Sequence, residues 1–225
     1  MSGSLYIVAT PIGNLEDITL RALRVLREVA VIACEDTRRT LKLLNKYGIH
    51  KELISYFQPR EGRKIPVIID ILKKGKDVAL VSDSGTPGIS DPGFRLVREA
   101  IKEGIKIVPI PGPNAFAAAL SASGLSTHRF LFSGFPSSKK EGTRKMLSAL
   151  EHEDATLIFF LPARKIGDFL SSALETLGDR PLVIARELTK IHEEFLRGST
   201  SEILSAIVKK SLKGELTVLI SGKRK

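Results

Sequence analysis

Short apolar runs separated by amphipathic stretches recur along almost the whole chain, and this rhythm restricts the fold more than any other feature. A short run that is apolar throughout reads as a strand buried on both faces. A stretch with apolar residues every three or four positions reads as a helix covering it. Leu5–Ala9, Ala30–Cys34, Leu53–Phe57, Asp77–Ser82 and Lys106–Ile110 read as strands. A helix over ITLRALRVLREV, with Asp17 as its N-cap, is expected, followed by helices over Thr40–Tyr47, Ile65–Lys74, Gly93–Glu103 and Ala115–Ser123. Gly48 and Gly104 are expected to close two of them. Strand and helix alternating in this way imply an α/β chain whose first sheet is mainly parallel and covered on both faces.

The second half changes character. Phe130–Gly134, Thr156–Leu161, Leu182–Glu187 and Leu216–Ser221 read as strands, and Glu141–Leu150, Ile166–Leu177 and Thr200–Lys210 as helices. Leu188–Arg197 follows its strand without a helix between, so an antiparallel return and a mixed second sheet are expected. Gly, Ser, Thr and His interrupt the pattern at Gly124–Arg129, which sets expected domains at 1–123 and 124–225. Lys223-Arg224-Lys225 reads as a mobile basic tail.

Several function classes are disfavoured. No G-x-G-x-x-G and no Walker A sequence occurs, which argues against a classical dinucleotide or P-loop site. The four histidines, His50, His128, His152 and His192, are scattered and read as surface or turn residues, so no metal site is expected. The lone cysteine, Cys34, sits inside an apolar run and reads as a buried thiol in a reducing compartment. No run reaches membrane-spanning length and the N-terminus lacks a signal-peptide pattern, so a cytoplasmic protein is expected. The net charge of +10, from 35 basic and 25 acidic side chains, fits a polyanionic partner or simply a basic surface.

Ligands of open α/β sheets bind beyond the carboxyl ends of strands. Three loops there are rich in Gly and Pro: ATPIGNLED, VSDSGTPGISDPG and PIPGPNAF. Tight turns need such residues anyway, but three on one edge suggest a site. Asp83 follows a buried strand, where its carboxylate either binds a ligand or caps its own turn. Glu35-Asp36-Thr37-Arg38-Arg39-Thr40 ends the second strand; its acids read as bases or helix caps, and its arginines as phosphate holders or surface pairs. Arg186-Glu187-Leu188-Thr189-Lys190 repeats the pattern. Lys139-Lys140, Arg144-Lys145 and Lys209-Lys210 read as solvated faces. Tyr56 and Phe57 read as core rather than as stacking residues.

In this order, TPIGNLEDIT, ACEDTRRT, SDSGTPGISDPG, PGPNA, FSGF and ARELTK resemble the family of ribosomal RNA small-subunit methyltransferase I, along essentially the whole chain. The resemblance implies a two-domain, class III fold like that of tetrapyrrole methylases, with S-adenosylmethionine between the domains. It also implies a homodimer that methylates a cytidine 2′-hydroxyl in 16S ribosomal RNA or the small subunit. It suggests Asp83, Gly85, Thr86, Pro87, Asn114 and Ala115 near the cofactor, with Pro11, Leu161 and Thr217 completing the site. Methyl transfer needs alignment and exclusion of water, and a 2′-hydroxyl is helped by a base. Glu35, Asp36, Asp83 and Glu187 are candidates for that base, as is Lys190 if its pKa is lowered; Arg38, Arg39 and Arg186 are candidates to position phosphate. The family often carries a further small C-terminal segment, whose RNA contacts would be missing from a chain that stops shortly after GELTVLISG. A tetrapyrrole methylase and a non-catalytic RNA-binding protein are the alternatives; the net charge with ACEDTRRT and ARELTK argues against the first, and the intact loops against the second.

Overall fold

The computed structural model describes residues 2–57, 61–209 and 212–223, without the side chains of 208 and 209. Lys210, Arg224 and Lys225, which end the expected last helix and the basic tail, lie outside the described residues. The chain forms two compact units, Met1–Asn114 and Ala115–Lys225. The helix Ala115–Ser123 thus belongs with the second unit, whose strands Pro181–Arg186 and Glu215–Ile220 it contacts.

The first unit holds strands β1 (Ser4–Val8), β2 (Val31–Cys34), β3 (Glu52–Ser55), β4 (Val78–Val81) and β5 (Lys106–Ile110) in a five-stranded sheet of order β3-β2-β4-β1-β5. Every pairing is parallel. Helices α1 (Leu20–Glu28), α2 (Thr37–Lys46), α3 (Glu61–Lys73) and α4 (Phe94–Lys102) cover it. The uniformly apolar β2 and β4 are buried at every position, as strands covered on both faces must be. In β4, Ala79 and Val81 pack with α1 and α2 residues such as Leu26 and Leu44, while Val78 and Leu80 pack with Ile68 and Leu72 of α3. One four-residue strand therefore serves two cores through its period of two.

Helix starts differ from expectation in identifiable ways. Asp17 is not the cap of α1. Asn14 caps a short 3-10 turn over Leu15–Asp17, buried Ile18 is extended, and Thr19 Oγ1 then accepts from Ala22 N at 3.0 Å. Two short side chains compete for the helix start, and the one that lets Ile18 reach the core prevails. Helix α2 begins earlier than expected because Asp36 caps it, accepting from Arg38 N at 2.9 Å. Helix α3 begins at Glu61 and contains Pro66. The Glu61 carboxylate is buried, accepts from Tyr56 Oη at 3.1 Å and lies 3.4 Å from Arg95 Nη1, which docks that first turn. Tyr56 is core, as read from the sequence, and so is Cys34.

The second unit contains α5 (Ala115–Ser123), β6 (Phe130–Gly134), α6 (Lys140–Ala149), β7 (Thr156–Pro162), α7 (Ile166–Leu177), β8 (Pro181–Arg186), β9 (Glu194–Ser199), α8 (Thr200–Lys209) and β10 (Glu215–Ile220). Its sheet has the order β6-β7-β10-β8-β9, with only β6 and β7 parallel. The expected antiparallel return is the β8–β9 pair. Leu157, Phe159 and Leu161 face a core shared with Leu147 of α6, Leu170 of α7 and Ile203 of α8. Arg197 of β9 donates to the carbonyls of Ala122 at 2.7 Å and Ser123 at 3.3 Å, a cation placed at the negative end of α5.

Arg180 is 7% exposed, and its guanidinium donates to the carbonyls of Leu177 at 2.9 Å, Glu151 at 2.6 Å and Ser221 at 3.4 Å. It thereby ties the ends of α7 and β10 to the connection before β7. Arg180→Ala would leave these carbonyls without their donors. The expected cost is about 2–4 kcal/mol of unfolding free energy, read as a lower urea midpoint at unchanged slope.

Candidate active site

All strands of the first sheet end on one row. Ser55 pairs with Cys34, Cys34 with Val81, Val81 with Val8, and Val8 with Ile110. Glu35, Ser82, Ala9 and Pro111 therefore leave the sheet side by side, at the edge where such sheets bind ligands. The three Gly/Pro-rich loops and the Glu35–Thr40 segment start here.

Hydrogen bonds join these connections into one platform. Thr10 N donates to Gly85 O at 2.8 Å and Gly85 N donates to Thr10 O at 3.0 Å. The buried Thr10 hydroxyl donates to Ser82 O at 3.0 Å. Thr86 Oγ1 donates to Pro113 O at 3.4 Å, which links the β4 loop to the β5 loop. Asp83 Oδ1 accepts from Asp36 N at 2.9 Å, and its Oδ2 lies 3.5 Å from Arg39 Nε, which links the β4 loop to α2. Gly85 has φ +83, and a Cβ there would lie 3.5 Å from Ile12 Cγ2. Space would admit a methyl, but the left-handed backbone strains any L side chain, so glycine is required. Ser90, at φ 68, is a non-glycine residue in the same region within this loop.

The platform is acidic. Burial raises the Glu35 carboxyl above the usual range, and the charges of Asp83 and Asp91 add to the rise. Burial pushes Asp91 up to about 6; a hydrogen bond from Ser82 opposes this, and the Asp83 charge reinforces it. Asp36 is held down to about 2 by the Arg38 side chain, whose Nη2 lies 2.7 Å away, and by the Arg38 backbone. A half-buried group of carboxylates with raised proton affinity suits two tasks: accepting a proton near neutral pH, and lying against a cationic ligand. Among the described residues, no group of three or more His, Cys, Asp or Glu side chains is disposed to hold a metal ion.

The first unit thus brings together Pro11, Asp83, Gly85, Thr86, Pro87 and Asn114 with Glu35, Asp36, Arg38 and Arg39. The second unit holds Ala115, at the start of α5, and the remaining candidates. Leu161 packs in the second core, and Thr217 is buried in β10 opposite Phe160 and Ala185. Arg186 Nε lies 3.1 Å from Glu194, while Lys190 Nζ donates to Glu187 at 3.0 Å and Glu215 at 2.9 Å. Burial alone would lower Lys190, but its bonds to Glu215 and Glu187 outweigh that and raise it. The lowered pKa required for Lys190 as a base is therefore absent. Glu187 is held low, first by the backbone N–H of Glu215. Thr10, Ser82 and Asp91 were missed from the sequence. Thr10 stands in the ATPIG loop, and Asp91 is the second acid of SDSGTPGISDPG.

Between about pH 4 and about pH 6 the folded protein holds the Asp91 proton more tightly than the unfolded chain does, so stability falls as pH rises through that window. Asp91→Asn keeps an acceptor for Ser82 and removes the buried charge. It should stabilise the protein at pH 7.5 by roughly 1–3 kcal/mol and change little near pH 4, as read by urea unfolding at both pH values.

The sequence matches the family model of tetrapyrrole (corrin/porphyrin) methylases over residues 4–204. It is 49% identical over 222 residues to the ribosomal RNA small subunit methyltransferase I of Thermotoga maritima, covering 98% of this chain and 99% of that one. It is 48% identical to the protein of the same name from Halalkalibacterium halodurans, covering 98% of this chain and 76% of the relative. Among solved structures, a cobalt precorrin-4 methyltransferase aligns with a TM-score of 0.70 at 19% identity, over 97% of this chain and 94% of the other. The uroporphyrin-III C-methyltransferase of Thermus thermophilus aligns at 0.67 and 24%, over 96% and 94%. The structural likeness carries the fold, and the near-full-length identity carries the family. This chain belongs to the ribosomal RNA small subunit methyltransferase I family, within the tetrapyrrole methylases.

Proposed function

We propose that this protein transfers a methyl group from S-adenosylmethionine to the 2′-hydroxyl of a cytidine in 16S ribosomal RNA. The observation that carries the proposal is 49% identity running through 98% of this chain and 99% of a relative named for methylating small-subunit ribosomal RNA. The donor set fits the cofactor. S-adenosylmethionine carries positive charge on its sulfur and its ammonium group, and Asp83 and Asp91 offer carboxylates beside a loop whose Gly85 backbone is open to close approach. Pro11, Asp83, Gly85, Thr86, Pro87 and Asn114 would hold it. When bound, it supplies an electrophilic methyl on an already activated leaving group.

The chain's own residues then orient the ribose and remove its proton. Glu35 is the proposed base. It leaves β2 at the sheet edge, and burial raises its proton affinity toward the working pH. Asp36 is occupied in capping α2. Arg38 and Arg39 have side chains 86% and 65% exposed and, among the described residues, pair only with Asp36 and Asp83. Solvent screens such pairs, so a phosphate can displace the carboxylate. A homodimer acting in the cytoplasm is part of the same proposal. Among the described residues no helix is long and apolar enough to cross a membrane.

The direct test is methyl transfer from labelled S-adenosylmethionine to small ribosomal subunits lacking the modification, with the product nucleoside identified by mass spectrometry. 2′-O-methylcytidine is expected; a base-methylated nucleoside, or no transfer by protein that binds the cofactor, contradicts the proposal. Glu35→Gln should lower kcat by about 100-fold or more while cofactor affinity by calorimetry stays within a few-fold. Replacing Arg38 and Arg39 together by Ala should weaken RNA binding at physiological salt; unchanged affinity removes them as phosphate contacts.

A further inference from the structure

One end of the second sheet carries features that the proposed chemistry does not use. β6 and β7 are parallel, and β8 runs the same way because both β7 and β8 pair antiparallel with β10. Their exits therefore lie together. β6 leaves through a register shift between Phe132 and Gly134, and Gly134 takes φ 66. Bulges of this kind re-aim the following side chain. That side chain is Phe135, 61% exposed, with its ring 5.6 Å from Phe160 in an edge-on contact. Phe160 in turn packs on Phe132 at 4.8 Å, and Phe132 stacks on Phe116 at 4.9 Å. A large aromatic ring is thus held in a set orientation, with most of its surface open to water.

Positive charge stands at the same strand end. Lys139 is exposed at the N-cap of α6, and Arg164 and Lys165 form the 3-10 turn Ala163–Lys165 after β7, the strand beside β6. That turn is fixed by Ala163 N, which donates to Gly214 O at 3.0 Å. Among the described residues, none of Lys139, Arg164 and Lys165 forms an ion pair. Of the acids at this end, Glu194 pairs with Arg186, Glu187 and Glu215 pair with Lys190, and Glu193 accepts from Thr189 N at 2.6 Å, while Glu141 and Asp168 stand in the first turns of α6 and α7. Lys139, Lys140, Arg164 and Lys165 outnumber Glu141 and Asp168, so the excess charge at the strand end that carries the oriented Phe135 ring is cationic. Single-stranded nucleic acids are held by this combination, with bases stacking on aromatic faces and phosphates meeting cations.

We propose that Phe135, Lys139, Arg164 and Lys165 form a contact surface for single-stranded RNA, with Phe135 stacking on an unpaired base and the three cations neutralising neighbouring phosphates. The proposal rests on the ribosomal RNA reading and adds which face of the second unit takes the RNA.

The test is fluorescence anisotropy of the full chain with a short fluorescein-labelled single-stranded RNA of mixed sequence, over a series of salt concentrations. Phe135→Ala should weaken binding by about tenfold with an unchanged salt slope, and Phe135→Trp should restore it. Arg164→Gln with Lys165→Gln should lower the slope of log affinity against log salt by about 1.4. Unchanged melting temperatures and cofactor affinity in these variants establish that the fold is intact. If the wild type binds RNA and both variants match it in affinity and slope, this surface is overturned while the methylation proposal stands. A changed oligomeric mass for Phe135→Ala with RNA affinity intact would assign the ring to a protein contact and also overturn it. A wild type that binds no RNA and modifies no subunit removes both proposals.

Discussion

The reciprocal backbone hydrogen bonds between Thr10 and Gly85, at 2.8 and 3.0 Å, are the contact on which the candidate site depends. They form an antiparallel bridge just beyond the sheet, after Val8 and Val81 have ended on the same row. Only a residue comfortable at φ +83 can turn there. Once that turn is set, Thr86 meets the β5 loop and Asp83 meets the start of α2. A ligand arriving at this edge finds loops whose entropy is already lost, the condition under which a small number of polar contacts binds tightly.

The platform's charge has the same origin. Uniform burial of β2 and β4 delivers Glu35 and Asp83 to neighbouring exits, and the return of the β4 loop adds Asp91. Burial, with the neighbouring Asp83 charge, raises the proton affinity of Glu35 and Asp91, at a cost in stability. Such strain belongs where a cation or a proton is to be received. The Glu187–Lys190–Glu215 group is the opposite case: its charges satisfy one another and hold the β8–β9 turn to the start of β10.

Much of the fold was legible because the central strands of a parallel sheet are apolar throughout, and VIAC and VALV could serve little else. Helix starts were less legible. Asp17, Thr19 and Asn14 are all good caps by type, and the choice among them is made by Ile18 reaching the core. The gathering of Gly85, Thr86 and Asn114 in one unit followed from loop composition and family likeness. The proton affinities did not. Asp91 depends on burial and on Ser82, and Lys190 on Glu215, a partner brought by sheet pairing rather than by sequence proximity. Phe135 ends the FSGF motif, and its exposure depends on a bulge that the motif does not reveal.

The joined loops of the first unit are the proposed cofactor platform. Hydrogen–deuterium exchange with and without S-adenosylmethionine tests it most directly. Protection is expected to rise in segments 9–14, 82–93 and 110–114. Binding without protection in these segments, or with protection confined to the second unit, would contradict it.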